Sequence, residues 1–152
     1  MTPSLREWIF DGRGRAAIAY VRVIVAIVFV SEGLQKFLFA NELGVGRFAK
    51  IGIPAPEVMA PFVGGLEVMG GVALLVGLAT RLLAIPLLIS MIVAITSTKV
   101  AALPHVGVWK TLHEARTDML MIGSLLFLLL VGSGRLSLDS RLAGRAHDDR
   151  RR

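Results

Sequence analysis

Two long stretches without a charged residue constrain the fold of this chain more than any other feature. They run from Leu82 to Thr98 and from Met119 to Ser133. A helix needs about 20 predominantly apolar residues to cross the hydrocarbon of a bilayer. Hydrophobic residues make up 55% of the 152-residue chain, and its charges gather at the ends and connections of the apolar runs. This distribution predicts an all-α, polytopic membrane protein rather than a soluble domain.

Glycine, proline and polar residues divide the chain into four predicted membrane-spanning helices. The glycines and prolines of "NELGVGRFAKIGIPAP" interrupt the first connection, "GLATR" is a tight turn, and "LPHVGVWKTLHEART" is predicted to be a polar loop. We therefore predict a four-helix transmembrane bundle over residues 1–136 and a basic, disordered tail over residues 137–152. The helices are expected at about residues 16–40, 56–78, 81–102 and 117–132.

The distribution of basic residues predicts the orientation of the bundle. Four spans place both termini on one side, where ten Lys and Arg residues fall against six on the other. An excess of Lys and Arg marks the cytoplasmic side, so both termini are predicted to be cytoplasmic. The net charge of +6 arises from arginines near the termini. No basic face interleaved with aromatic residues is present, so nucleic-acid binding is not predicted.

The first predicted helix contains three charged residues that lie on one side of it. At 100° per residue, Arg22, Glu32 and Lys36 share a wedge of roughly 80°. A lone ionised residue at mid-bilayer costs about 2.5–3.5 kcal/mol even on the mildest insertion scales. This polar stripe is therefore expected to face protein or water while the rest of the helix faces lipid.

The second predicted helix has one charged residue near its middle, Glu67. Its face includes Ala60, Gly64 and Gly71, small residues that allow another helix to approach closely. We expect the first helix to pack there, so that Glu67 meets the polar stripe at a depth between Arg22 and Glu32. The predicted result is a polar cleft that opens away from the termini. Arg22 and Glu67 would form its floor, and Lys99 would lie at the same outer end of the third helix.

These charges have an architectural interpretation as well as a functional one. Buried ion pairs can simply fix the register of two helices, and Lys36 and Lys99 can extend to the interface. Ionisable residues inside a membrane are nevertheless functional candidates by default. A metal site is not predicted, because His105 and His113 are expected to be solvated loop residues without a third ligand. The chain contains no Cys, so redox chemistry would need a cofactor from elsewhere.

Four segments together resemble the DoxX family of small four-helix membrane proteins. They are "GLQKF", "GIPAPE", "GGLEVMGGVALLVGLATR" and "GSGRLSLD", and the similarity extends over about residues 18–140. The resemblance implies a four-helix bundle in a bacterial inner membrane. Lys36, Glu67 and Arg22 match the family's polar positions, whereas Glu32 is assigned from the helical wheel alone. The family name refers to a subunit of a thiosulfate:quinone oxidoreductase, and other members are associated with oxidative stress or quinone handling.

The sequence leaves three functional hypotheses. The first is an oxidoreductase-associated subunit that binds a quinone or similar molecule, with Glu67 and Lys36 as catalytic residues and Arg22, Glu32 and Lys99 as ligand-binding residues. It has no intrinsic cofactor, and its expected partners are the lipid bilayer, a redox protein and further copies of itself. The second is a noncatalytic scaffold or chaperone-like protein. The third, a transporter, would require an oligomer and lacks a visible inverted repeat. Whether the chain is itself an enzyme stays open.

Overall fold

The computed structural model of the chain describes residues 14–142, and all the regular secondary structure in that range is helical. The predicted all-α fold is confirmed. Four long helices and three short ones follow one another along the described part of the chain. They are α1 (Gly14–Leu38), α2 (Val45–Lys50), α3 (Pro56–Val76), α4 (Thr80–Ile95), a π-helix (Thr96–Val100), α5 (Ala101–Val106) and α6 (Val108–Val131).

Among residues 14–142, three stretches are long and apolar enough to cross a membrane: Ala17–Leu38, Pro56–Val76 and Thr80–Val106. The third is continuous through α4, the π-helix and α5. The fourth long helix, α6, has 24 residues, but its uncharged part begins only at Met119. At about 1.5 Å per residue, that part measures roughly 20 Å, which is shorter than the hydrocarbon of a bilayer.

The segment predicted as a polar loop before the fourth helix is helical instead. Between α5 and α6 the helical structure is interrupted only at Gly107, whose φ of 82° lies in a region that favours glycine. Lys, Glu, Arg, Leu and Ala are good helix formers, and they dominate the start of α6. Thr111 and Ala115, four residues apart, are buried on one face of it. Consequently His105 lies on α5 and His113 on α6, rather than in a loop.

Helices α1 and α3 pack with their backbones in contact. A Cβ atom at Gly33 would lie 2.6 Å from the carbonyl oxygen of Gly64, and one at Gly71 would lie 2.9 Å from the carbonyl oxygen of Ala26. Only glycine fits at such positions, and small residues permit this close approach between membrane helices. The packing of the first helix on the small-residue face of the second, which the sequence predicts, is present.

The four long helices meet in one hydrophobic core towards the end of the bundle that holds residues 14 and 142, the first and last described residues, which we call the terminal end or the side of the termini. All four contribute side chains to it. Beyond Leu87, no side chain of α4 or of the π-helix is fully buried. The core consists of Val25, Ala26 and Phe29 of α1, Leu74 of α3, Ala84 and Leu87 of α4, and Met121, Leu125 and Leu128 of α6.

The segment after α6 is packed against the bundle at its start, although the sequence predicts a disordered tail from residue 137. Ser137 is buried, and residues 138–142 are helical. Gly134 contacts Ile18, so the end of α6 lies beside the start of α1. The remainder of the predicted tail, with His147, lies outside the described residues.

Candidate functional site

A buried ion pair joins α1 to α3. The Nζ atom of Lys36 lies 2.6 Å from Oε2 of Glu67. The exposed fractions of the two side chains are 13% and 7%. A short bond between an ammonium and a carboxylate in such surroundings is strong, because little water competes for either group. Lys36 and Glu67 are the two residues that the sequence assigns to catalysis, and the fold brings them into direct contact.

The direction of the Lys36 side chain explains how the pair forms. Side chains on a helix lean towards its N-terminus, so Lys36 extends back by about one turn. Its Nζ also lies 3.3 Å from the carbonyl oxygen of Glu32. A Cβ atom at Gly33 would touch Gly64 and Val68 on either side of Glu67. Glu67 therefore lies at the level of Glu32, not between Glu32 and Arg22 as the sequence predicts.

Small and aromatic residues enclose the pair along the contact between α1 and α3. Gly64, one turn from Glu67, is buried, and a Cβ atom there would lie 2.9 Å from the Phe37 ring. Gly71, one turn the other way, is buried against α1. The two helices thus hold the carboxylate and the ammonium in a fixed register. This arrangement can stabilise a charge or hold a proton between the two groups.

Glu32 lies beside the pair without forming a described ion pair of its own. Its side chain is exposed. Its backbone carbonyl oxygen, rather than its carboxylate, accepts the hydrogen bond from Lys36. Ser31 is also exposed, and its Oγ accepts a hydrogen bond of 3.0 Å from Nε2 of the half-buried Gln35. Together Ser31, Glu32 and Gln35 form a polar strip on α1, which we call the α1 strip.

Arg22 lies elsewhere, which corrects the prediction that it shares the cleft with Glu67. Its guanidinium is buried and donates hydrogen bonds to the carbonyl oxygens of Ser133 and, at 2.5 Å, Leu136. The wheel places Arg22 and Lys36 on one side of α1, but 14 residues separate them by about 21 Å along the axis. Backbone carbonyl groups at the end of a helix receive no hydrogen bond from the helix itself. An Arg guanidinium, with five N–H donors, can bond several of them at once.

Arg22 belongs to a group of contacts that fastens the segment after α6 to the other helices. The carboxylate of Asp139 accepts hydrogen bonds from the backbone N–H of Ala79 at 2.7 Å and of Thr80 at 3.2 Å. The N–H of Asp139 donates to the carbonyl oxygen of Gly77 at 3.0 Å. A carboxylate at the start of a helix satisfies its free N–H groups. We call Arg22, Gly77, Ser133, Leu136 and Asp139 the terminal clasp.

Sequence reasoning missed the terminal clasp, although a signal for it was available. The segment "GSGRLSLD" is one of the most specific parts of the family resemblance, yet its last three residues, 137–139, fall in the predicted disordered tail. A recess of about 490 Å³ lies beside the clasp. The α3–α4 turn, the end of α6 and Asp139 line it, so it is separate from the Lys36–Glu67 pair.

Lys99 also lies apart from Glu67, contrary to its predicted place in the cleft. It is on the π-helix, where its Nζ is 3.8 Å from Oε2 of Glu114 on α6. The exposed fractions of these two side chains are 24% and 41%, so the contact is loose and accessible. Within the part of the chain that the structure describes, no three His, Cys, Asp or Glu side chains lie close enough to hold a metal.

The DoxX family model matches residues 17–100, which include all five site residues predicted from the sequence. The chain is 44% identical over 144 residues to the uncharacterized membrane protein Rv3486 of Mycobacterium tuberculosis, with 91% of this chain and 88% of that one covered. It is 35% identical over 119 residues to a Bacillus subtilis protein named "Putative oxidoreductase CatD", with 78% and 81% covered. No solved structure gives a significant match.

Proposed function

Because the chain belongs to the DoxX family, we propose that it is an oxidoreductase-associated membrane subunit whose Lys36–Glu67 pair binds a quinone or a similar small redox molecule. The observation that carries this proposal is the pair itself, two opposite charges 2.6 Å apart on adjacent membrane-spanning helices. The relative whose name describes it as an oxidoreductase supports the same class of function.

The hydrogen-bonding capacity of the pair fits a quinone oxygen. A Lys ammonium has three N–H donors. In Lys36 one is used by Glu67 and another faces the carbonyl oxygen of Glu32 at the longer distance of 3.3 Å. One donor thus remains for a ligand. Among the described residues, only Oε2 of Glu67 accepts a side-chain hydrogen bond, which leaves Oε1 to accept a ligand proton.

A bound quinone would supply the redox chemistry, since it takes up two electrons and two protons when it is reduced to the quinol. The electrons are assigned to a partner oxidoreductase, and the chain's own residues act on the protons. Lys36 would stabilise negative charge that develops on a ligand oxygen, because an ammonium in a water-poor site interacts strongly with it. Glu67 would hold or pass one proton, since its carboxylate is within hydrogen-bond reach of the same space.

A quinone titration tests this proposal. Purified protein in lipid nanodiscs is mixed with a short-chain ubiquinone or menaquinone analogue, and thermal unfolding is recorded. A ligand that binds only the folded state at 100 times its Kd stabilises it by about 2.7 kcal/mol. We expect this stabilisation in the wild type and in the matched control Glu57→Gln, and its loss in Glu67→Gln and Lys36→Met. An unchanged unfolding curve at saturating quinone, or equal stabilisation of Glu67→Gln, would remove the proposal.

A noncatalytic scaffold is the second candidate, and one observation favours it. Gly33, Gly64 and Gly71 hold α1 and α3 in backbone contact on both sides of the pair. In such a contact an ion pair can have a purely structural role, which is to fix the register of the two helices. A scaffold predicts that Glu67→Gln lowers stability and the recovery of a partner protein from membranes, while quinone leaves the wild type and every variant unaffected.

A further inference from the structure

Both turns of α3 that flank Glu67 pack closely, at Gly64 against Phe37 on one side and at Gly70 and Gly71 on the other, but the layers beyond these turns differ. On the side of the termini, the next turn of α3 contains two glycines, against which the neighbouring helices pack closely. A Cβ atom at Gly70 would lie 3.1 Å from the Leu87 side chain, and one at Gly71 would lie 2.8 Å from Val30. The space on this side is therefore filled by side chains and backbone.

Further towards the termini, two more layers close the bundle. The first is the hydrophobic core, in which Phe29 is 1% exposed and Leu74 and Leu87 are 0% exposed. The second is the terminal clasp, in which the buried Arg22 guanidinium bonds the carbonyl groups that follow α6. A fully buried apolar layer of this kind is a barrier to protons and to polar ligands, because neither finds hydrogen-bond partners in it.

On the side away from the termini, polar and exposed groups begin at the pair itself. The α1 strip runs beside Lys36, and Asn41 and Glu42 follow α1 with exposed side chains. A carboxylate exposed to acyl chains near the bilayer centre costs about 2.5–3.5 kcal/mol. The exposed side chain of Glu32 is therefore expected to face water or lipid headgroups. Glu32 is only six residues, about 9 Å, from the end of α1, within reach of the interface.

We infer that the Lys36–Glu67 pair exchanges protons and receives its ligand from the end of the bundle opposite the chain termini, along the α1 strip. The inference rests on the proposed function only in treating the pair as a site. With the predicted orientation, this end faces away from the cytoplasm. Protons taken up or released during turnover would then be exchanged on that side of the membrane.

The absence of Cys from the chain allows a direct test, because any introduced Cys is unique. Glu32→Cys reports on the strip and leaves the pair intact, and Lys36→Cys reports on the pair. Lys50→Cys, an exposed position on α2, marks the end opposite the termini, whereas Arg141→Cys marks the terminal end. Leu74→Cys serves as the buried control. Each variant is treated with a membrane-impermeant methanethiosulfonate in right-side-out and inside-out vesicles.

The expected result is that Glu32→Cys and Lys36→Cys are labelled in the same vesicles as Lys50→Cys, and lose labelling in the vesicles that label Arg141→Cys. Leu74→Cys should stay unlabelled in both, because a buried thiol is unreactive. Labelling together with Arg141→Cys would overturn the inference. Labelling only by a lipid-soluble maleimide would also overturn it, since the route would then lead sideways into the bilayer. Gln35→Cys, on the same strip, replaces Glu32→Cys if that variant does not accumulate.

The outcome is independent of quinone binding. Sided labelling combined with a flat quinone titration would retain the access route and remove the proposed ligand. Quinone binding combined with labelling from the terminal end would retain the proposed ligand and remove the access route. Protection of Glu32→Cys from labelling by the short-chain quinone would support both.

Discussion

Helix α1 carries two buried cations, and the two ends of the bundle use them in different ways. At the terminal end, Arg22 bonds carbonyl oxygens of the segment after α6. Near the other end, Lys36 bonds a carboxylate on the neighbouring helix α3. The first cation bonds backbone carbonyl groups, whereas the second pairs with a group that can itself gain or lose a proton.

The comparison shows that a charge inside a membrane helix is not by itself a sign of chemistry. Among residues 14–142 the hydrogen bonds of the Arg22 side chain go to backbone carbonyls, which do not titrate. The nearby carboxylate of Asp139 is itself bonded to the start of α4, so these contacts suit a fastening role. The Lys36–Glu67 pair contains two titratable groups next to the exposed Glu32. The four predictions that follow test this division between fastening and chemistry, from the largest expected effect to the smallest.

Replacing Arg22 with Met should produce the largest loss of stability. Hydrogen bonds to a charged group contribute about 1.5–3 kcal/mol each, so losing two should lower the free energy of unfolding by about 3–6 kcal/mol. Unfolding in mixed micelles with increasing SDS measures this change. Arg81→Met is the matched control, because the exposed Arg81 donates one described hydrogen bond, to the carbonyl oxygen of Leu130. Unaltered stability together with lost quinone binding would place Arg22 in the site instead of the clasp.

Neutralising Glu67 should have a smaller but coupled effect. Removing one partner of a fully buried pair costs about 3–5 kcal/mol, and the slight exposure of Lys36 reduces this for Glu67→Gln to about 2–3 kcal/mol. The double variant Lys36→Met/Glu67→Gln should recover part of the loss, because no unpaired charge remains. The same SDS titration on both single variants and the double variant gives the coupling energy. Strictly additive losses would mean that the two side chains do not interact in the membrane.

The sequence predicts much of the α1–α3 half of the molecule and less of the terminal end. Apolar runs and the small residues Gly64 and Gly71 are enough to predict two spanning helices in close contact, and the contact brings Glu67 to Lys36. The wheel also groups Arg22 with them, because it records angle and ignores the distance along the axis. A pattern around one helix cannot reveal that the end of α6 returns to Arg22.

The start of α6 illustrates a second limit. Lys110, His113 and Glu114 suggest a solvated loop when hydropathy alone is considered. The same residues are compatible with a helix, and the spacing of Thr111 and Ala115 is the pattern of a buried helical face. Hydropathy detects the part of a helix that faces lipid and misses a polar part of the same helix.

Removing the helix cap at Asp139 should have a moderate effect, confined to the terminal end. Loss of an N-cap side chain costs about 0.5–2 kcal/mol, so Asp139→Ala should lower the free energy of unfolding by about 1 kcal/mol. It should also speed tryptic cleavage after Arg135 and Arg141, which lie in the fastened segment. Asp118→Ala on α6 is the control. Cleavage at the wild-type rate would show that Arg22 alone holds this segment.

The smallest effect is expected at the second Lys–Glu contact, between Lys99 and Glu114. Their charged atoms are 3.8 Å apart and both side chains are partly exposed. Exposed ion pairs contribute about 0.2–1 kcal/mol, so Lys99→Met should lower the free energy of unfolding by less than about 1 kcal/mol. It should also leave the quinone titration unchanged. Lys36→Met, measured in the same SDS titration, supplies the comparison with a buried pair. Equal losses in the two variants would mean that burial does not distinguish the pairs, and Lys99 would then regain its place among the candidate ligand-binding residues.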